Sequence, residues 1–382
     1  MKVIVAPDSF KGSMTSAEAC SAMEAGIRSV RPDCDILSIP VADGGEGTVE
    51  AIARIENGEI LTETVLDPVG RNVEAEYGWI GESRTAIVET ASASGLPRLK
   101  EELNPAEAST YGTGQLIQTA LDKGAEHIIL GLGGSATVDA GSGCFQALGV
   151  KFYDEKGAEL DMNGGALHKV ASIDTTALCG QDVSWTIASD VTNPLLGPDG
   201  AIAVFGPQKG VSRGDRDRYE TGMENYASVV ERHIGYEKRE EPGSGAAGGF
   251  GFTLFSLLDR MEVENGFELV ARLGNLEERI READLVLTGE GKMDTQTLYG
   301  KGPIGIARLA KKAEAPCVAF AGAIEGEMDR FKEEGLSVVL PIVDAPMTVA
   351  EAIGAGPALL QRASRRMMEV YGLKQEKGEG RR

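Results

Sequence analysis

The sequence predicts an α/β protein of two domains, one of them discontinuous, and three observations carry that expectation. Short apolar, β-rich runs alternate with helical stretches at both ends of the chain, which is the grammar of a parallel sheet flanked by helices. Several of these runs open directly into loops of glycine, hydroxyl and carboxylate, and parallel sheets bind their ligands beyond the carboxyl ends of the strands. In between, the alternation breaks, and two β-rich runs are joined by a loop of hairpin length.

Residues 2–5 form the first run, and Thr15 with Glu18 three residues on has the pattern of a capping box that opens a helix. Between them lies the polar junction Ala6-Pro7-Asp8-Ser9-Phe10-Lys11-Gly12-Ser13. Residues 36–41 repeat the pattern and lead through Ala42-Asp43-Gly44-Gly45-Glu46-Gly47-Thr48 into a second helical stretch. The hairpin pair falls at 73–80 and 85–89, so a second domain is expected to begin near Asp67-Pro68-Val69-Gly70-Arg71. A polar loop over 90–97 and a helix over about 113–123 follow.

Residues 128–131 form a strand that feeds Leu132-Gly133-Gly134-Ser135-Ala136-Thr137-Val138-Asp139-Ala140-Gly141-Ser142-Gly143. Glycine permits positive φ and close backbone approach, so N–H groups of such a loop can meet an anion. Residues 183–188 deliver Ser189-Asp190-Val191-Thr192-Asn193-Pro194, in which Pro194 keeps Asn193 out of helix. Residues 213–241 are charged and helical, and Pro242-Gly243-Ser244-Gly245-Ala246-Ala247-Gly248-Gly249 reads as a loop. Beyond Ala283 the alternation returns, with strands at 285–288, 317–320 and 338–342, helices at 304–312, 327–334 and 349–370, and a frayed tail from 374. The expected architecture is one Rossmann-like domain from 1–70 and 284–382, with 71–283 inserted as a second α/β domain.

A chain of 382 residues has room for two such cores. Its 50 glycines are close to twice the usual ~7%, yet they sit at junctions and show no repeat, so they are not low complexity. The net charge of −21 repels a polyphosphate backbone and argues against nucleic acid as a partner, whereas a single nucleotide needs only a local cradle. Five scattered cysteines without C-x-x-C spacing suggest neither a disulfide framework nor a zinc knuckle. No signal-peptide pattern opens the sequence, and no apolar run approaches the ~20 residues of a membrane span, so a cytoplasmic protein without a membrane partner is expected.

Single motifs leave alternatives open. Gly131-Leu132-Gly133-Gly134-Ser135-Ala136 satisfies G-x-G-x-x-A, and Asp154 stands near the place of a ribose-binding acid, but Gly141-Ser142-Gly143 interrupts the helix a dinucleotide fingerprint requires. The same glycines can serve a phosphate loop or a purely structural turn. No P-loop or protein-kinase motif occurs, and the three histidines match no catalytic pattern. Lys11 and Arg71 can meet a phosphate or carboxylate, or be exposed cations at an element entry. Asp43, Asp190 and Asp294 are each compatible with turn chemistry. Together with Glu290 they follow apolar strands, where oxygen ligands for magnesium can collect.

The stretches 6–12, 42–48, 131–143, 189–197 and Thr288-Gly289-Glu290-Gly291-Lys292-Met293-Asp294-Thr295-Gln296-Thr297 resemble the bacterial glycerate kinase family of the type I fold, in order and from residue 3 to about 370. The resemblance implies ATP- and magnesium-dependent phosphorylation of D-glycerate in a cleft between two α/β domains, with 2-phosphoglycerate the commonly assigned product and 3-phosphoglycerate the alternative. On this reading Asp190 orients or deprotonates the substrate hydroxyl, Asp43 contacts a hydroxyl, and Lys11 joins them in the catalytic set. Lys11 and Arg71 bind the carboxylate or the transferred phosphate, with Ser9 and Asn193 also assigned to substrate. Gly133-Gly134-Ser135 and Gly243-Ser244-Gly245 receive nucleotide phosphates, and Glu290 and Asp294 hold magnesium. A nicotinamide-dependent dehydrogenase and a non-catalytic sugar-acid sensor are the competing classes, and a homo-oligomer is compatible with any of the three.

Overall fold

The computed structural model describes residues 1–42, 44–99, 102–295, 297–299, 302–326 and 328–379. In chain order the strands are β1 Lys2–Val5, β2 Asp35–Ser38, β3 Glu59–Leu66, β4 Asn72–Ile80, β5 Thr85–Glu89, β6 His127–Gly131 and β7 Lys151–Tyr153. They continue with β8 Ser172–Asp174, β9 Ser184–Ala188, β10 Met261–Glu264, β11 Leu285–Met293, β12 Cys317–Ile324 and β13 Val338–Pro341. The chain divides into two compact units, one of Met1–Ala42, Glu50–Glu56 and Phe267–Arg382, the other of Asp43–Val49 and Asn57–Gly266.

This division departs from a boundary at residue 70. β3 pairs antiparallel with β4 from Glu59↔Trp79 to Leu66↔Asn72, so a cut there would sever a hairpin. Residues 59–66 give a weak strand signal because they form a polar sheet edge, where only Val65 is buried.

The first unit is built on a parallel sheet of order β13-β12-β11-β1-β2. Period-two alternation sends Val3, Val5, Leu285, Leu287 and Phe320 to one core and Ile4, Val286 and Ala319 to the other. Both faces are thus buried, which is why these strands read as continuous apolar runs. Helix Ser16–Arg28 opens with the expected capping box, Glu18 N donating to Thr15 Oγ1 at 3.1 Å and Thr15 N to Glu18 Oε2 at 2.9 Å. Counted within the unit, the strand order is 2-1-3-4-5. That is the flavodoxin-like winding, and its switch point lies between β1 and β11.

β11 runs on to Met293 instead of ending near 288, because β12 pairs with it as far as Met293↔Ile324. Its last residues look like a loop in sequence, yet backbone pairing does not require apolar side chains. Helices Val349–Gly354 and Gly356–Glu379 replace one continuous helix, and the second continues to Glu379, into the segment expected to fray.

The second unit carries a six-stranded sheet of order β10-β9-β6-β5-β4-β3 and a separate β7/β8 hairpin. β10, β9, β6 and β5 are parallel, while β4 and β3 extend the sheet antiparallel. Its core gathers Leu116, Leu130, Val138, Phe145, Tyr226 and Phe250, with Phe145 and Phe250 meeting edge to face. Residues 90–97, expected as a loop, contain helices Thr90–Ser94 and Leu96–Leu99. The charged helix is Arg216–Ile234, shorter at both ends than expected. Helix Ala246–Leu257 is broken near its start by positive φ at Ala247, Gly248 and Gly249.

Candidate active site

In the second unit, β5, β6 and β9 end at one level, with Glu89 opposite Gly131 and Gly131 opposite Ala188. The loop after β6 leaves this edge packed backbone to backbone against the 44–45 turn. Gly133 N donates to Gly44 O at 3.1 Å, and Leu132 N donates to Ala188 O at 3.2 Å. A Cβ on Gly131 would stand 2.6 Å from Gly44 O, and one on Gly133 would stand 2.5 Å from Gly45 Cα. These two glycines therefore serve the approach of one loop to another. Gly134 is the exposed residue of the loop and takes φ +72°. Gly133→Ala must displace backbone and is expected to cost about 1–3 kcal/mol, the usual scale of overpacking. Urea unfolding of the variant measures this, and an unchanged midpoint would mean that the two loops separate without penalty.

Asp190 follows β9, is exposed, and accepts the Gly266 N–H on Oδ1 at 3.0 Å. Asn193 Nδ2 donates to Asp199 O at 2.8 Å, while its carbonyl accepts Gly245 N–H at 2.9 Å. Gly243, Ser244 and Gly245 are all buried. Ser244 N donates to Glu241 O at 3.0 Å and Ser244 Oγ to Lys238 O at 2.6 Å. The Ser244 and Gly245 donors are satisfied internally, and the turn buttresses the loop that carries Asn193.

Arg71 is engaged within the protein as well. Its guanidinium reaches Asp67 Oδ2 at 2.6 Å, Glu102 Oε2 at 3.3 Å and Arg98 O at 3.3 Å. The Asp67 side chain is 1% exposed, and this pairing closes the β3–β4 turn. Asp154 Oδ1 accepts the N–H groups of Lys156 and Ala158 at 2.8 and 2.9 Å, ordering its own turn as short acids commonly do. The loop after β6 enters no helix until Ser142–Ala147, so residues 133–136 lack the helix N-terminus a dinucleotide pyrophosphate needs.

Two ionisable groups of this unit escaped the sequence reading. Glu89 ends β5 buried, with Oε1 accepting Val49 N–H at 2.7 Å and further bonds from the N–H groups of Gly47 and Thr48. Burial outweighs these bonds and raises its pKa to about 7. Its signal was a carboxylate closing the apolar run Thr85-Ala86-Ile87-Val88. Lys209 is 2% exposed and donates to Ser135 Oγ at 2.7 Å and Thr137 O at 2.9 Å. Its burial is invisible in sequence, because Pro207-Gln208-Lys209-Gly210 reads as an ordinary surface turn.

In the first unit the switch point gathers the loops after β1 and β11. Asp8 N donates to Gly289 O at 2.8 Å, Thr288 Oγ1 to Ala6 O at 2.8 Å, and Ser9 N to Asp8 Oδ1 at 2.6 Å. A Cβ on Gly291 would lie 3.2 Å from Lys11 N, so the strand passes close to the Lys11 backbone, and the Lys11 side chain is exposed. Glu290 and Lys292, two apart on β11, share a face. Lys292 Nζ lies 2.8 Å from Glu325 Oε2 and 3.4 Å from Asp294 Oδ2. Among the described residues no group of three or more His, Cys, Asp or Glu is arranged to hold a metal. Magnesium in phosphoryl transfer is usually held by one or two carboxylates together with substrate phosphates; here Glu290 lies on β11 and Asp294 just beyond its end, with Lys292 between them in the chain. Asp43 lies outside the described residues.

No helix among the described residues is long and apolar enough to cross a membrane. The glycerate kinase family model matches residues 3–372. The chain is 42% identical over 368 residues to a glycerate kinase of Bacillus subtilis (strain 168), covering 96% of each chain. It is 40% identical over 368 residues to the glycerate 2-kinase of Escherichia coli (strain K12), again covering 96% of each. A crystal structure described as glycerate kinase 2 from Salmonella typhimurium LT2 superposes with a TM-score of 0.85 at 39% identity, over 98% of this chain and 99% of that one. With both α/β sheets and a family match across nearly its whole length, the chain belongs to the glycerate kinase family, a family of phosphotransferases.

Proposed function

We propose that the protein transfers the γ-phosphoryl group of ATP to the 2-hydroxyl of D-glycerate, yielding 2-phosphoglycerate and ADP. The observation that carries this reading beyond the family is the placement of Asp190. It is an exposed carboxylate at the carboxyl end of β9, held on one oxygen by the Gly266 N–H. Such a group can accept the proton as the hydroxyl oxygen bonds to phosphorus and the bond from phosphorus to the bridging oxygen of ADP breaks. Lys11, exposed on the loop after β1, supplies a cation for the glycerate carboxylate or the transferred phosphate, with Ser9 on the same loop. Gly134 and Ser135 are assigned to the nucleotide phosphates.

Glu290 and Asp294 would hold magnesium, which, when bound with the phosphates, neutralises charge on the transferring group. Asp43 is retained as a hydroxyl contact. A cytoplasmic setting supplies the ATP.

The test is ADP release from ATP and magnesium in the presence and absence of D-glycerate, followed by carbon and phosphorus NMR of the product. Glycerate-dependent ADP release with the phosphorus signal split into a doublet by the single proton on C2 is the expected result. A triplet from the two protons on C3 would overturn the assigned position. Nicotinamide turnover, or binding without turnover, would overturn the reaction itself.

A further inference from the structure

The chemistry above leaves one buried cation of the second unit unused. Lys209 ends the short turn Pro207–Lys209, and Gly210 behind it is left-handed at φ +94°. From there Nζ holds two points of a single loop, Ser135 Oγ at 2.7 Å and Thr137 O at 2.9 Å. Gly248 is pressed against the same Thr137 carbonyl, where a Cβ would collide with the oxygen. Asp139, on the same loop, is buried but already satisfied: its Oδ2 accepts Thr110 N–H at 2.8 Å and Thr110 O–H at 2.7 Å. An ammonium group taken out of water costs several kcal/mol unless it is well answered, and an apolar side chain of similar size would fill the space without that cost. A packing role alone therefore does not explain a lysine here.

We infer that Lys209 is a positioning residue that sets the 134–137 loop for an anionic ligand, the phosphates of the nucleotide. It does so by occupying Ser135 Oγ as an acceptor, which leaves the serine proton to donate, and by placing a positive charge behind the loop. The inference rests on the assignment of this loop to ATP in the reaction proposed above.

Burial lowers the Lys209 pKa from 10.5 to about 7, against the opposing pull of the Asp139 carboxylate. The charge is thus half lost near pH 7, held well below it and gone well above it, and phosphate affinity should weaken as pH rises through that value.

The experiment is calorimetric titration of ATP with magnesium into the full-length protein on either side of pH 7, for wild type, Lys209→Met, Ser135→Ala and the double variant. Wild type should bind more weakly at the higher pH. Lys209→Met should bind about 10-fold or more weakly at the lower pH, the scale of a lost hydrogen bond to a charged group, and should show little pH dependence. The double variant should lose less than the two singles added together, since the two side chains share the Lys209–Ser135 bond. Wild-type affinity and wild-type pH dependence in Lys209→Met would overturn the inference. Should that variant fail to fold, wild-type affinity in Ser135→Ala overturns it. Wild type that binds ATP without phosphorylating D-glycerate overturns the proposed reaction and leaves the Lys209 comparison valid, whereas wild type that binds no ATP overturns both.

Discussion

Replacing Asp190 by asparagine is expected to lower kcat for D-glycerate phosphorylation by about 10²–10⁴-fold, the range for loss of a positioned general base. The substitution is close to isosteric, and an asparagine oxygen can still accept the Gly266 N–H that orients the aspartate at 3.0 Å. What it removes is the capacity to take a proton. KM for glycerate should change far less than kcat, because a hydroxyl contact can persist while proton acceptance cannot. Steady-state kinetics on protein with unaltered circular dichroism measures both. Turnover within a few-fold of wild type would end the assignment of Asp190 as base and move the search to the neighbouring loops.

The second large effect is on stability, and it comes from Glu89. Burial raises its pKa from 4.5 to about 7, with the Glu46 carboxylate adding to the rise. Between those values the folded protein binds more protons than the unfolded chain, so stability is highest at the acidic end and declines as pH rises to about 7. At about 1.4 kcal/mol per pKa unit, the decline attributable to this one group is about 3 kcal/mol. Glu89→Gln keeps an acceptor for the Val49 N–H but cannot ionise, so its urea-unfolding stability should stay level across the same window. Parallel pH curves for the two proteins would show that Glu89 is not the group responsible. Lys209 works in a separate window, from about 7 to 10.5, and with the opposite sign: there the unfolded chain binds more protons, and stability rises with pH.

Glu89 and Lys209 also mark where sequence reading stops. A carboxylate at the end of an apolar strand looks like a solvent-facing terminus, and a lysine in a Pro-Gln-Lys-Gly turn looks like a surface cation. Each is buried by chain remote in sequence: Glu89 by the 47–49 turn, Lys209 by the loop after β6. Arg71 shows the reverse case. Its position beside a glycine suggested a ligand contact, but Asp67, Glu102 and the Arg98 carbonyl occupy it. Gly243-Ser244-Gly245 has the composition of an anion loop and the hydrogen bonds of a buttress.

The sequence by itself determined the α/β class, the strands that carry the site loops, the capped helix at Thr15 and the family. These depend on local periodicity, capping chemistry and long ordered motifs, all of which are written along the chain. Tertiary structure alone decided that the first unit winds 2-1-3-4-5, that β3 belongs with β4, and that the glycines at 131 and 133 admit the 44–45 backbone. It also decided which of the polar groups are committed to holding loops. The physical reason is that a donor, an acceptor or a glycine carries no mark of its partner. Whether it serves a ligand or the fold depends on what distant chain comes within about 3 Å of it.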